Sequence, residues 1–282
     1  MTFGHMATLE SQDKTTDEWN TGAVSVDDYL ARLGLSTPPE PSVAALRTLH
    51  EAHVRTIPFE NIDVVLGRHP GIDLDVIQRK LLENNRGGYC FEHALLFAAV
   101  LERLGFTVSR HMARVQPLRP GPYTHMMLLV WFDEGAYLAD VGFGAGVSHP
   151  LPLRDGAVVE QAGVPHRMHH DGTFWHLQKR NSDGWESLHA FQPIPSRFVD
   201  YEVAHHHTAT HPNSPFVGKP VVMRPGREAT RKLLGDELVV EHASGEVERT
   251  PVPGHELGRR LRELDVELTE EELTALRAEL GR

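Results

Sequence analysis

The sequence predicts an α+β chain in three parts: a helical N-terminal region, a β-rich middle and a mixed C-terminal region. Three observations predict it. Apolar residues recur at helical spacing from Ser25 to about residue 105. At Phe106 the period changes to that of strands. Asp-Gly pairs at 155–156, 171–172 and 183–184 then punctuate the middle as turns. The expected organisation is a flexible leader over 1–22, a helical domain over 23–105, a β-barrel or curled sheet over 106–200 and a final part over 201–282.

The leader is polar, acidic and without apolar periodicity. A helix is expected from Ser25 to Gly34, with Ser25 as N-cap, Asp28 at its third position, and Tyr29, Leu30 and Leu33 on one face. A second amphipathic helix follows over 42–56, carrying Val43, Leu46, Leu49 and Val54, and a third over 73–84, carrying Leu74, Ile77, Leu81 and Leu82. A fourth begins at Tyr89 or Cys90 and ends at Leu104-Gly105. Strands are expected over 106–115, 125–132 and 136–141, the last two joined by Asp133-Glu-Gly, and over 157–161, 173–180 and 184–191. From residue 200 the chain opens with the polar stretch DYEVAHHHTATHPNSPF, continues in short strands and closes with a helix capped at Thr269.

Composition narrows the function classes. The 282 residues carry 28 basic and 39 acidic side chains, a formal charge of −11. That balance argues against nucleic-acid binding, which needs a basic face, while leaving room for a local pocket for one anionic cofactor. One cysteine excludes an internal disulfide and a cysteine-rich zinc site. No apolar run reaches the length of a membrane helix, and the first residues resemble neither a signal nor a transit peptide. The expectation is a soluble, cytoplasmic protein.

The chemistry concentrates in Asn85-Arg-Gly-Gly-Tyr-Cys-Phe-Glu-His93. Two glycines precede the single cysteine and an apolar helix follows it, which places Cys90 on a first helical turn where the dipole favours a thiolate. The glycines are read as letting a substrate approach the backbone. A thiol nucleophile needs a base, and the base an orienting group. His125 stands at the mouth of one strand and Asp140 at the end of its hairpin partner, so a short turn can bring them together. The plain alternative is a small buried cysteine in a chain whose 19 histidines supply chance His-Asp pairs. Spacing alone leaves both open.

The same residues carry a resemblance. RGGYCFEH is similar to the active-site motif of the arylamine N-acetyltransferases, and Ile57-Pro-Phe-Glu-Asn61, Thr124-His125, Leu138-Ala-Asp-Val-Gly-Phe-Gly144 and Asp200-Tyr-Glu…Thr208-Ala-Thr-His-Pro…Ser214-Pro-Phe216 follow the family's order. The resemblance runs from about residue 25 to the C-terminus. It implies a helical bundle, a β-barrel and an α/β lid around a papain- or transglutaminase-like core. It also implies ping-pong transfer from acetyl-CoA through an acetyl-cysteine to the nitrogen of arylamines, arylhydrazines or arylhydroxylamines, a reaction of xenobiotic metabolism. Cys90, His125 and Asp140 are then the catalytic triad, and Phe59, Phe143 and Phe216 the aromatic walls for the acceptor. Thr124, Gly142, Phe143 and Gly144 become coenzyme A contacts, and Glu60 with Arg86 a structural ion pair. The implied partners are acetyl-CoA and a small aromatic amine or hydrazine, with no metal, nucleic acid or membrane, and a monomer or homodimer as the oligomeric state.

Two departures from the family pattern stand out. Ala94 occupies a position where the family commonly has Asn, and His205-His206-His207 replaces an Asn followed by aromatics. A rival reading of the histidines as zinc or copper ligands, from His205–His207 with His211 or from His166, His169 and His170, lacks a helical His-Glu-x-x-His and a second cysteine. The other readings of the triad are a different acyl donor, a thiol hydrolase or transglutaminase, and a non-catalytic scaffold that keeps the fold.

Overall fold

The computed structural model describes residues 18–144 and 146–281. The expected leader lies outside the described residues as far as residue 17. Its remainder is anchored: Trp19 packs on Phe198 and Tyr201, the Arg110 guanidinium stands over the Trp19 ring at 4.2 Å, and Thr21–Ala23 form a 3₁₀ turn.

Helix α1 (Val26–Arg32) starts where Ser25 accepts a bond from the Asp28 N–H, and α2 (Val43–Thr56) where Ser42 does the same for Ala45. A short strand β1 (Phe59–Glu60) and a single turn α3 (Ile62–Val65) follow. The helix expected over 73–84 is α4 (Leu74–Gln78) running into a π turn over Arg79–Glu83. That wider turn carries Lys80 inward to buried carboxylates. Helix α5 (Cys90–Arg103) is buried on every face from Cys90 to Leu101. An all-round apolar helix belongs at the centre of a core, and α1, α2 and α4 pack around it.

The middle of the chain forms β2 (Thr107–Val115), β3 (His125–Phe132), β4 (Gly135–Ala139), β5 (Leu151–Pro152), β6 (Val158–Gln161), β7 (Val164–His170), β8 (Trp175–Asn181) and β9 (Gly184–Phe191). They make one antiparallel sheet of order β5-β4-β3-β2-β9-β8-β7-β6, and β5 lies close to β7, so the sheet curls nearly to a barrel. Met127, Leu129, Leu138, Met168, Leu177 and Phe191 fill its interior. Strand β7 was not expected. Pro165 and three histidines hide its alternation, yet His166 and Met168 point inward and β6 and β8 pair with it on both sides.

The polar stretch after residue 200, for which no helix was expected, is the helix α6 (Phe198–Thr210). The Asp200 carboxylate accepts the Arg197 N–H at its start, and Tyr201, Ala204 and Thr208 form a narrow buried face. Three small or polar-tipped contacts at helical spacing leave no apolar stripe to read. The remaining elements are β10 (Val221–Pro225), β11 (Ala229–Leu234), β12 (Glu237–His242), β13 (Val247–Pro251), α7 (Leu257–Arg262) and α8 (Glu270–Glu279), the last capped by Thr269 as expected. Their sheet has the order β1-β10-β11-β12-β13. Strand β1 thus ties the C-terminal part to the helical region, with Phe59 opposite Met223.

Candidate active site

Cys90 is the first residue of α5, where the unpaired N–H groups of a helix end favour negative charge. The turn before it is held by Glu92, whose carboxylate accepts the Tyr89 N–H at 3.0 Å and receives the Lys80 ammonium at 2.9 Å. Gly87 and Gly88 serve this packing rather than substrate access. A Cβ on Gly87 would lie 2.1 Å from the Pro58 carbonyl oxygen, and one on Gly88 would lie 2.7 Å from the Glu92 carboxylate. The space goes to the chain itself, as Gly88 bridges to Phe59 and neither glycine lines the cleft.

The Cys90 thiol donates to the Thr124 carbonyl at 3.7 Å, and Cys90 and His125 share the wall of one cleft. His125 opens β3, and Asp140 follows β4, so the two-residue hairpin turn brings them together as its register predicts. The His125 Nε2–H donates to Asp140 Oδ2 at 2.8 Å. With Nε2 committed there, Nδ1 is the ring nitrogen left for the thiol. Burial pulls the His125 pKa down, but the Asp140 carboxylate and Cys90 outweigh it and push it up to about 10. Burial raises the Asp140 pKa, and the His125 and His189 contacts overcome this and hold it well below the usual carboxylate range.

Beside these residues is a cleft of about 390 Å³ lined by Phe59, Phe143, Phe216, Met223, Thr124 and Gly142, with Cys90 and His125 in its wall. Volume and lining suit a small aromatic compound. Gly144, expected as a cofactor contact, is not among the lining residues. It sits behind Phe59, where a Cβ would lie 3.0 Å from the ring, and its φ of +71° favours glycine. Gly142 is needed for a different reason: a Cβ there would lie 2.8 Å from the Cys90 carbonyl oxygen. Gly142→Ala is therefore expected to displace the nucleophile's backbone and to cost about 1–3 kcal/mol of stability. Urea denaturation together with the alkylation rate of Cys90 checks it, and wild-type values for both would refute the contact argument.

Two histidine systems were missed in the sequence. His50 on α2 is fully buried and clamps both ends of the loop that carries Phe143. Its Nε2 accepts the Asp140 main-chain N–H at 3.1 Å, so its Nδ1–H donates to the Ser148 carbonyl, also at 3.1 Å. Burial holds its pKa near 4, which keeps the ring neutral in this role. The second system is a chain whose direction is set by its last acceptor. The Pro58 carbonyl can only accept, so His93 Nε2–H donates to it, His53 Nε2–H donates to His93 Nδ1, and the Tyr29 hydroxyl donates to His53 Nδ1. It braces Phe59, whose ring lies parallel to that of His93. Each pair is dozens of residues apart in sequence, and no local pattern announces it. His189, which also reaches Asp140, is a further omission.

Glu60 and Arg86 do meet, at 2.8 and 3.0 Å, inside a larger network with Asp63, Lys80, Glu92 and Glu272. Ala94 packs into the helical core. His205 bonds the Tyr89 hydroxyl, His206 is exposed, and His207 lines the cleft and stacks on His211 at 4.3 Å. The histidine groups weighed as metal ligands do not converge: His166 bonds Val164, His169 bonds Asp155, and His170 faces Trp175. Among the described residues, one set of three donor atoms lies within 4.8 Å, that of His125, Asp140 and His189, and its contacts are the hydrogen bonds of the site. No described helix is long and apolar enough to cross a membrane.

A cysteine, a histidine and a buried aspartate meeting beside an aromatic cleft define the kind of site, and comparison with known proteins defines the family. The model of an N-acetyltransferase family matches residues 42–272. An arylamine N-acetyltransferase of Mycolicibacterium smegmatis is 38% identical over 236 residues, covering 80% of this chain and 85% of that protein. The structure of the arylamine N-acetyltransferase from Mycobacterium abscessus superposes with a TM-score of 0.90 at 33% identity, covering 96% of this chain and all of that one. That of Mycobacterium marinum, in complex with CoA, superposes with a TM-score of 0.80 at 31% identity, covering 91% of this chain and 98% of that one. The chain belongs to the arylamine N-acetyltransferase family.

Proposed function

We propose that the protein transfers an acetyl group from acetyl-CoA to the nitrogen of aromatic amines, hydrazines or hydroxylamines, with Cys90 as acyl carrier. The observation that carries this reading is that Cys90 and His125 share the wall of an aromatic cleft, with Asp140 hydrogen-bonded to His125 behind it. His125 takes the thiol proton, and the thiolate adds to the thioester carbonyl. The carbon–sulfur bond to coenzyme A breaks, and its sulfur leaves with the proton from His125. In the second half the acceptor nitrogen attacks the acetyl-cysteine, the bond to Cys90 breaks, and His125 removes the surplus nitrogen proton. Asp140 keeps His125 oriented and stabilises its charged form. Exchange of one thioester for another keeps the acetyl group activated for the amine, which an ester on serine would not.

Phe59, Phe143 and Phe216 offer ring faces and edges to an aromatic acceptor, each such pair contributing about 0.5–1.5 kcal/mol. Thr124 and Gly142, which line the cleft with Cys90, are the contacts offered to coenzyme A. Acetyl-CoA is an intracellular metabolite, so the reaction belongs in the cytoplasm, with foreign aromatic compounds among its acceptors. Intact mass spectrometry after brief incubation with acetyl-CoA and no amine tests the reading. One acetyl group on Cys90, discharged by an added arylamine, is expected. A rapidly alkylated Cys90 that gains no acetyl group would sink acetyl-CoA as donor.

A further inference from the structure

Asp140 Oδ2 accepts two hydrogen bonds, from His125 Nε2 at 2.8 Å and from His189 Nε2 at 3.0 Å. His189 lies on β9, fully buried, and does not line the cleft, whereas its neighbours Ser187 and Leu188 do. Its ring packs against Phe143 at 5.3 Å and against His125 at 5.3 Å. A carboxylate can only accept, so His189 carries its proton on Nε2. Its Nδ1 is buried without a partner, as expected of the bare nitrogen of a neutral imidazole and not of a second cationic N–H.

We propose that His189 is a positioning residue for the transfer reaction: its neutral Nε2–H holds the Asp140 carboxylate with Oδ2 toward His125 and leaves the carboxylate's charge to the His125 imidazolium. The groups that face it are Asp140, His125 and, from β8, His176. Burial and the neighbouring His125 charge lower its pKa, against the pull of Asp140, whereas that of His125 is raised. One buried carboxylate thus serves two imidazoles in different protonation states. Without the His189 donor, Asp140 would keep one bond and a bare Oδ1, which has no partner either, and its anion would be less well held. The reaction-level consequence rests on the proposed acetyl transfer, but the test below does not need acetyl-CoA.

In the wild-type protein, ¹⁵N-histidine labelling and long-range proton–nitrogen correlation at neutral pH should show His189 as the neutral Nε2–H form. A cationic or Nδ1–H His189 would overturn the proposal, and this measurement stands even if a variant does not fold. The pH profile of Cys90 alkylation by iodoacetamide then separates positioning from packing. His189→Leu removes the donor at similar volume and should slow alkylation about tenfold and move the acid limb up by about one pH unit, as loss of a hydrogen bond to a charged acceptor implies. His189→Gln keeps an N–H donor and should stay within about threefold of wild type by the same reasoning. KM for acetyl-CoA should not change in either. A leucine variant with the wild-type profile, or a glutamine variant as slow as leucine, would refute the role. A wild type with the expected histidine forms that gains no acetyl group would refute the transferase reading alone.

Discussion

Cys90→Ala is expected to reduce acetyl transfer to the uncatalysed background, a loss on the order of 10⁴-fold or more, because Cys90 is the one thiol in the cleft wall and stands beside its histidine. The substitution removes one small buried atom at the end of a helix otherwise held by Glu92, so the fold should survive. His125→Ala should cost a comparable factor, since the thiol then has no base. Asp140→Asn keeps the thiol and the imidazole but loses the charge that holds the His125 pKa near 10, and a loss of about 10⁴-fold is expected by analogy with other triads. Steady-state rates with circular dichroism as the folding control decide all three. A Cys90→Ala protein that still turns over arylamine would leave the cysteine as packing and the cleft as a binding site.

Lys80→Met is expected to be the most damaging substitution for stability outside the site, at about 3–5 kcal/mol in urea denaturation. The ammonium lies 2.9 Å from Glu92 and 2.8 Å from Asp63, with Glu92 only 1% exposed. Burial works against the Lys80 charge, but the surrounding carboxylates hold its pKa well above the usual value. Burial likewise raises the Glu92 pKa, and Lys80 and His69 reverse this to a net lowering. In the wild type, then, the Glu92 contribution is present above the unfolded carboxylate pKa and is lost as pH falls through the folded value. In the variant Asp63 keeps Arg68 and Arg86, but Glu92 loses its ammonium and binds a proton more tightly when folded than when unfolded, so the sign reverses for Glu92. The stability deficit should be largest at neutral pH and shrink on acidification toward about pH 4–5, where unfolded carboxylates titrate. A deficit that is constant over that range would mean that lost packing, not the stranded charge, is responsible.

The site was legible wherever a local rule governs it. Two glycines, a cysteine and an apolar run announce a helix that begins at the nucleophile, although the glycines turned out to make room for Pro58 and Glu92. The hairpin turn at Asp133 brings His125 to Asp140 because antiparallel register follows from turn length. Helix α6 was illegible because its buried face is Tyr201, Ala204 and Thr208, and strand β7 because Pro165 and its histidines mask the alternation.

By itself, the sequence determined the α+β layout, the N-caps at Ser25 and Thr269, the nucleophile and the order of its partners. Each of these depends on residues within about one turn or one hairpin of each other, where backbone geometry limits what neighbours can do. Only the tertiary structure decided that His50, 90 residues away, holds the Asp140 main chain, and that His189, 49 residues away, shares its carboxylate. The same is true of β1 pairing with β10 and of Lys80 bridging Glu92 to Asp63. Such contacts are selected by how the core closes: a buried polar atom must find a partner there, and which one it finds depends on packing between elements that have no fixed relation along the chain.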